Sequence, residues 1–234
     1  MFAAFRWSLV LSLLLMSSTL AQGQRPRSSA PRNIADIAST DVKGTFESIE
    51  YGKLKLKTNE GTPCYVVVQA PMTQVAITGT AMPDYLKPGQ LVTFYADVDK
   101  KGAAAEPLKE LTITVASDTT KQGMFLENRD DKDSTKFFVC ATVRTFKDGK
   151  LTVSAGGKPV QATVADDAKI KYEGTDVGVI KAGDKVSLSG KQVQAYNGAG
   201  NVVPQVMYGE KVEIALGEPL SAASSKKKPP VKGK

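Results

Sequence analysis

The chain has 234 residues, carries a formal net charge of +7 and contains no histidine. Without histidine, the Ser-His-Asp and Cys-His catalytic arrangements are excluded, and the commonest protein ligand of zinc is missing. The basic excess lies at the two ends of the chain, because residues 42–217 carry 22 Lys and Arg residues against 21 Asp and Glu residues, a net charge of +1.

Residues 1–21 have the three parts of a secretory signal peptide. Arg6 supplies a positive charge, residues 9–16 are apolar, and residues 18–21 end in small side chains. We expect cleavage after Ala21 and export to the periplasm or the exterior. The apolar run is shorter than the ~20 residues of a membrane-spanning helix, so we expect no transmembrane segment in the mature chain. Residues 22–40 have little apolar content and are predicted to be disordered.

Two parts of the chain resemble each other. Residues 42–54 correspond to residues 139–151, and residues 86–92 correspond to residues 180–186. An internal repeat predicts two similar structural units. We place the first repeat at residues 42–116 and the second at residues 137–217, each long enough for one modest hydrophobic core.

Each repeat is predicted to form five short strands separated by turns that contain glycine. Leu54 and Leu56 alternate with lysines, which is typical of a strand with one buried face. The predicted strands span residues 42–50, 53–58, 62–69, 91–98 and 107–115 in the first repeat, and 137–146, 150–154, 159–165, 185–195 and 203–215 in the second. Short helical turns are expected near residues 83–86 and 177–180.

Five strands are best closed into a barrel, because closure removes exposed strand edges. We therefore predict an all-β protein of two tandem small OB-like barrels, with SH3-like barrels as the alternative. The predicted cores contain Phe46, Leu54, Leu56 and Val92 in one barrel and Val143, Leu151, Val153 and Val186 in the other. Residues 117–136 are predicted to be a linker whose apolar residues 124–126 dock on a barrel, and residues 218–234 a disordered tail rich in Lys and Pro.

The repeats resemble a family of small bacterial exported domains of unknown function. That family has strands of the form Gly-x-Val/Phe and Gly-x-Leu-x-Val and a turn of the form Lys-x-Gly-Asp-x-Val. The matching segments are Gly44-Thr45-Phe46, Gly149-Lys150-Leu151-Thr152-Val153 and Lys181-Ala182-Gly183-Asp184-Lys185-Val186. The resemblance covers both repeats and implies an OB-like fold, but it implies no catalytic residues.

The two cysteines are predicted to remain unpaired. Cys64 shares a face with Val66 and is expected in a barrel core, whereas Cys140 lies off the face of Val139 and is expected outside the other barrel. A disulfide needs Cα atoms closer than this arrangement allows. The adjacent acids Asp166 and Asp167 are expected at a turn, where we interpret them as solvated side chains and not as a hydrolytic pair.

Two groups of lysines are candidate polyanion-binding residues. One follows the second strand, in the region where OB-folds commonly bind ligands, and the other lies in the tail. The candidates are Lys53, Lys55 and Lys57 on the strand and Lys226, Lys227, Lys228, Lys232 and Lys234 in the tail. Each group is also compatible with a merely solubilising role.

The sequence favours a non-enzymatic exported module that binds a protein or another component of the cell envelope, or that has a structural role there. The first alternative is a weak binder of polyanions, such as nucleic acid, acidic polysaccharide or an anionic surface, through the basic tail. A hydrolase that uses carboxylates is a further alternative. No cofactor and no catalytic residue is expected.

Overall fold

The computed structural model describes residues 37–69, 72–116, 120–127, 136–193, 205–222 and 231–232. The expected signal peptide and most of the expected disordered leader lie outside these residues. The described residues form thirteen strands and two 3₁₀ turns, and they contain no α-helix. The 3₁₀ turns, Pro83–Tyr85 and Val177–Val179, lie where short helical turns were predicted.

The strands of the first half of the chain are β1 (Ser39–Glu50), β2 (Lys53–Thr58), β3 (Pro63–Val67), β4 (Gln74–Ala81), β5 (Leu91–Asp97), β6 (Leu108–Thr114) and β7 (Gly123–Leu126). Those of the second half are β8 (Lys136–Lys147), β9 (Lys150–Ala155), β10 (Lys158–Gly174), β11 (Lys185–Val193), β12 (Gln205–Ala215) and β13 (Val231–Lys232). The prediction of an all-β chain is therefore confirmed.

The strands close into two rings of five. Ring A has the order β1-β2-β3-β12-β11, with β11 returning to β1, and ring B has the order β8-β9-β10-β6-β5, with β5 returning to β8. In each ring one pair is parallel, β3 with β12 or β10 with β6, and the others are antiparallel. A three-strand meander with a crossed return is the Greek-key arrangement of an OB-like barrel.

The distribution of strands between the rings differs from the expected tandem arrangement. Each repeat gives its first three strands to one ring and its last two strands to the other, so the repeats exchange strand pairs. The predicted core residues exchange accordingly: Val92 lies on β5 in ring B, and Val186 lies on β11 in ring A. Local alternation identified both residues as buried, but it carries no information about which distant strand each one meets.

Two equivalent turns fasten the exchange. The Gly89 amide donates to the Val143 carbonyl at 2.9 Å, and the Val143 amide donates to the Gln90 carbonyl at 2.8 Å. In the other ring, the Gly183 amide donates to the Phe46 carbonyl at 2.9 Å, and the Phe46 amide donates to the Asp184 carbonyl at 2.8 Å. Phe46 and Val143 both sit at register shifts, where a bulge disturbs the ladder and the turn of the other repeat supplies backbone partners.

The hairpins between the first two strands of each repeat are also equivalent. Tyr51 and Gly52 have φ angles of 52° and 73°, and Asp148 and Gly149 have φ angles of 52° and 74°. Two consecutive residues with positive φ are characteristic of the type I′ turn, whose twist matches that of the strands. The repeat recognised in the sequence is thus a repeat of backbone conformation as well.

Two strand segments that the sequence analysis missed join the rings. β4 pairs in parallel with β12 of ring A and antiparallel with β10 of ring B. β10 continues to Gly174, well beyond its predicted end, so Asp166 and Asp167 lie inside a strand and not at the expected turn. They fall where the pairing of β10 with β6 shifts register, between Val164 and Lys169. One contiguous hydrophobic cluster spans both rings.

Because both rings contain strands of both repeats, we predict that Leu151→Ala destabilises the two rings together. Leu151 on β9 is buried in ring B, and truncation of a buried leucine costs about 2–5 kcal/mol. Hydrogen exchange in increasing denaturant should show the amides of β2 and β9 losing protection in the same transition, at a lower midpoint than in the parent.

The matched control for this prediction is Lys147→Ala, at an exposed position near Leu151, which should shift the midpoint little. If β9 opened at lower denaturant while β2 kept the midpoint of the parent protein, the rings would be independent folding units.

Candidate binding surfaces

The predicted lysine stripe on β2 is divided by its neighbours. The Lys55 ammonium lies 3.3 Å from a Glu50 carboxylate oxygen and 3.6 Å from a Glu47 carboxylate oxygen. The exposed Lys57 has no ion pair within the described residues. The stripe is therefore not a uniform cationic surface, since its central charge is compensated.

Glu50 is held by three side chains on the same outer face of ring A. The Ser48 hydroxyl donates to it at 3.0 Å, the Tyr65 hydroxyl at 3.1 Å and the Lys55 ammonium at 3.3 Å. The hydrogen bond from Ser48, with those from Tyr65 and Lys55, lowers the pKa of the Glu50 carboxyl group. The hydrogen bond to Glu50 raises the pKa of Lys55. Tyr65, a potential stacking residue beside the stripe, is thus engaged with a carboxylate.

Only one of the five tail lysines, Lys232, lies within the described residues. Lys226, Lys227, Lys228 and Lys234 lie outside the described residues. Lys232 belongs to β13, which pairs in parallel with the end of β1, so that Lys232 is in register with Glu50. Polyanion binding by the tail remains a prediction, but residues 231–232 of the tail are paired with the barrel.

A row of three aromatic side chains crosses the outer face of ring B. Tyr95 on β5 is in register with Phe138 on β8, which is in register with Phe125 on β7. The ring centroids of Tyr95 and Phe138 are 5.2 Å apart, and those of Phe125 and Phe138 are 6.5 Å apart. Tyr95 and Phe125 are 55% and 39% exposed. We call these three residues the aromatic row.

A cleft opens beside the aromatic row because β5 and β6 separate. Their ladder has only three residue pairs and ends at Thr93 and Thr112, although β5 continues to Asp97. The cleft has a volume of about 460 Å³ and is bordered by Tyr95 and Phe138. This size lies within the usual range of ligand pockets.

The charges around the cleft are largely balanced. Glu110, on the rim, is paired with Lys171, and Lys136 lies 3.0 Å from a Glu127 carboxylate oxygen. The aromatic row and its cleft were missed in the sequence, where only the apolar residues 124–126 were noted as a docking segment. That segment is confirmed to pack on a barrel as β7. The row depends on the register of β5 and β7 with β8, and β5 is distant from β8 in sequence.

The environments of the two cysteines correct one prediction. Both thiols are free, and Cys64 is buried as predicted, but Cys140, expected outside the barrel, is only 3% exposed. Cys140 lies between β5 and β7, in register with Thr93 and Gly123. A side chain on the outer face of a barrel can still be buried when neighbouring segments cover that face, as β5 and β7 do here. Burial raises the pKa of the Cys64 thiol to about 11, and it also raises the pKa of Cys140.

The buried carboxylate of Asp184 has a structural role. Asp184 is 4% exposed, and it accepts hydrogen bonds from the amides of Lys181 at 2.6 Å and Gly217 at 2.8 Å. These bonds hold the turn that bonds to Phe46 and connect it to the end of β12. The acid in the Lys-x-Gly-Asp turn is thus explained by the exchange of strands and not by chemistry on a ligand.

Within the described part of the chain, no group of three or more Cys, Asp or Glu side chains is arranged to hold a metal ion. The same residues include no helix of the length and apolarity that crossing a membrane requires. No protein-family model, curated protein or solved structure matches the chain. The candidate surfaces therefore rest on geometry alone.

We predict that both thiols react slowly in the native protein at pH 8, because both are buried and their raised pKa values disfavour the reactive thiolate. After denaturation without reductant, the protein should react with two equivalents of a thiol reagent. A time course with a chromogenic disulfide reagent measures both quantities.

A Cys140→Ser variant is the control for this prediction, and it should release one equivalent after denaturation. Rapid labelling of Cys140 in the native parent would show that this thiol is accessible, contrary to its burial.

Proposed function

We propose that the protein is a non-catalytic, exported binding module that holds a protein partner of the cell envelope on the aromatic row and its cleft. The observation that carries this proposal is the exposure of Tyr95 and Phe125 on two strands, β5 and β7, that flank β8 on the outer face of ring B. Aromatic side chains with large contact area and few rotatable bonds are the usual anchors of protein interfaces. The absence of histidine from the chain supports a non-catalytic role.

The chemistry of the surface favours a partner segment that is largely apolar or uncharged. Lys136 and Glu110 are engaged in ion pairs, and the other charged residues of the lining, Asp97, Glu106 and Lys109, include both signs. The cleft therefore has no strong excess of one charge that would attract an ionic ligand. The cleft between β5 and β6 offers a slot beside the aromatic row in which a side chain of the partner can be buried.

Export, the other part of the proposal, is supported by the signal-peptide pattern of residues 1–21. N-terminal sequencing of the secreted chain should give a sequence that begins at Gln22.

The test is the affinity of the mature protein for a partner isolated from envelope extract and then purified. Replacing Tyr95 and Phe125 by serine should weaken binding at least about tenfold, because an interface anchor commonly contributes about 2 kcal/mol or more. Binding of the parent should change little between 50 and 500 mM salt. Both quantities are measured by calorimetric titration.

The matched control is the pair Tyr51→Asn and Met82→Ser, which removes two exposed large side chains from outside the aromatic row. Asparagine suits position 51 because it tolerates positive φ. Equal loss in both double variants would contradict the aromatic row as the binding surface. Dissociation of the parent complex at 500 mM salt would favour a charge-based function instead.

A further inference from the structure

The exchange of strands creates a concave face on ring A that neither repeat has alone. Outward side chains of β1 from the first repeat lie beside those of β11 and β12 from the second, and β4 completes the edge. They line a depression of about 820 Å³. Its polar lining includes Lys43, Thr45, Asn59, Thr78, Lys185 and Ser187. We call this surface the concave face.

Lys43 and Lys185 line the concave face, and a third lysine, Lys57, lies at its border. Thr45 on β1 is in register with Lys57 on β2 at one side and with Lys185 on β11 at the other, so the two lysines flank it on the same face. Lys43 is two residues from Thr45 along β1 and therefore points in the same direction. Among the described residues, no carboxylate lies within 4.0 Å of any of the three ammonium groups.

The acidic residues nearby only partly compensate these charges. Glu213 lines the same depression, but its carboxylate is paired with the Lys211 ammonium at 2.6 Å. On β1, Asp41 is two residues from Lys43, and Glu47, two residues from Thr45, lies 3.6 Å from the Lys55 ammonium. Glu213 and Glu47 are paired with other lysines, Lys211 and Lys55, whereas Lys43, Lys57 and Lys185 have no paired carboxylate in the described part of the chain. The concave face therefore keeps a net positive charge, although residues 42–217 as a whole are nearly neutral.

The other lining groups indicate the class of anion. The hydroxyls of Thr45, Thr78 and Ser187 and the amide of Asn59 can donate to and accept from sugar hydroxyl groups. No aromatic side chain lines the depression, so the bases of single-stranded nucleic acid would lack the stacking partners on which such binding depends. The large apolar side chains of the lining are Val186 and Ile214, and both are buried. The face therefore has no exposed large apolar side chain that could insert into a lipid surface.

We infer that the concave face binds an acidic polysaccharide, with Lys43, Lys57 and Lys185 on its carboxylate or sulfate groups. The inference is independent of the aromatic row, which lies on the other ring. It also differs from binding by the tail, because none of the three lysines lies in the tail. Lys43 and Lys185 were not among the candidates predicted from the sequence. Lys57 is thus separated in function from Lys53 and Lys55 on the same strand.

The experiment is a titration of the full mature chain with heparin at several salt concentrations. Three contacts give a slope of log affinity against log salt of about −2.1 to −2.7, which corresponds to a loss of roughly 20- to 40-fold in affinity from 50 to 200 mM salt. The variant with Lys43, Lys57 and Lys185 replaced by glutamine should lose most of this salt dependence and most of its affinity at 50 mM salt.

The matched control removes the same charge elsewhere, with Lys101, Lys147 and Lys150 replaced by glutamine. All three lysines are exposed: Lys101 lies in a turn, and Lys147 and Lys150 lie at the ends of β8 and β9, in ring B. The control should keep the slope of the parent, as should a variant in which the five tail lysines are replaced by glutamine. Circular dichroism of each variant verifies that the fold is retained.

Four results would overturn the inference. The first is equal loss in the control and in the concave-face variant. The second is loss of binding in the tail variant alone, and the third is no heparin binding by the parent. The fourth is tighter binding of single-stranded poly(dT) than of heparin with the same dependence on the three lysines, which would make the face a nucleic-acid site. Uncharged dextran should not bind at all.

Discussion

Each barrel in this protein is closed by strands from the other repeat. The meander of one repeat leaves two edges open, at its first and third strands, and the last two strands of the other repeat cover both. A sheet edge that stays open presents unpaired backbone groups and invites aggregation. Ring closure is therefore the constraint that keeps the two halves of the chain together, and the hydrogen bonds from Gly89 to Val143 and from Gly183 to Phe46 fix its register.

Both candidate surfaces follow from this arrangement. The concave face exists because β11 lies beside β1, which brings Lys185 next to Thr45. The aromatic row exists because β5 of one repeat and β8 of the other are neighbours, which brings Tyr95 next to Phe138. A barrel formed from one repeat would contain neither combination. The surfaces thus belong to the pair of repeats, as does the single hydrophobic cluster that spans both rings.

Much of the local structure could be predicted from the sequence because it depends on local chemistry. Alternating side chains predicted β2 with its observed bounds, and the Tyr51-Gly52 and Asp148-Gly149 turns lie between strands, where turns that contain glycine were expected. The pairing of strands could not be predicted, since two similar repeats offer each edge two partners with nearly the same pattern. For the same reason the burial of Cys140 could not be predicted, because it depends on other segments of the chain that cover β8.

β4 was missed for a different reason. Its sequence, QVAITGTA, has an alternating pattern, but glycine and small residues make it a weak strand signal. Gly79 is explained by its surroundings, because an added Cβ would lie 2.8 Å from the Leu216 side chain. The small residue permits the close approach of the segment after β12. The small residues that weaken the strand signal in the sequence therefore also allow β4 to fit between the rings.

Because of the exchange, the covalent connection between the repeats is not what holds the two halves of the chain together. β7 and β8 are consecutive along the chain, yet the halves on either side of that connection are joined by strand pairing in both rings. A single proteolytic cut between Leu126 and Lys136 would leave two fragments that each lack the strands to close a barrel. The nicked protein would remain one particle under native conditions, and its two pieces would separate only in denaturant.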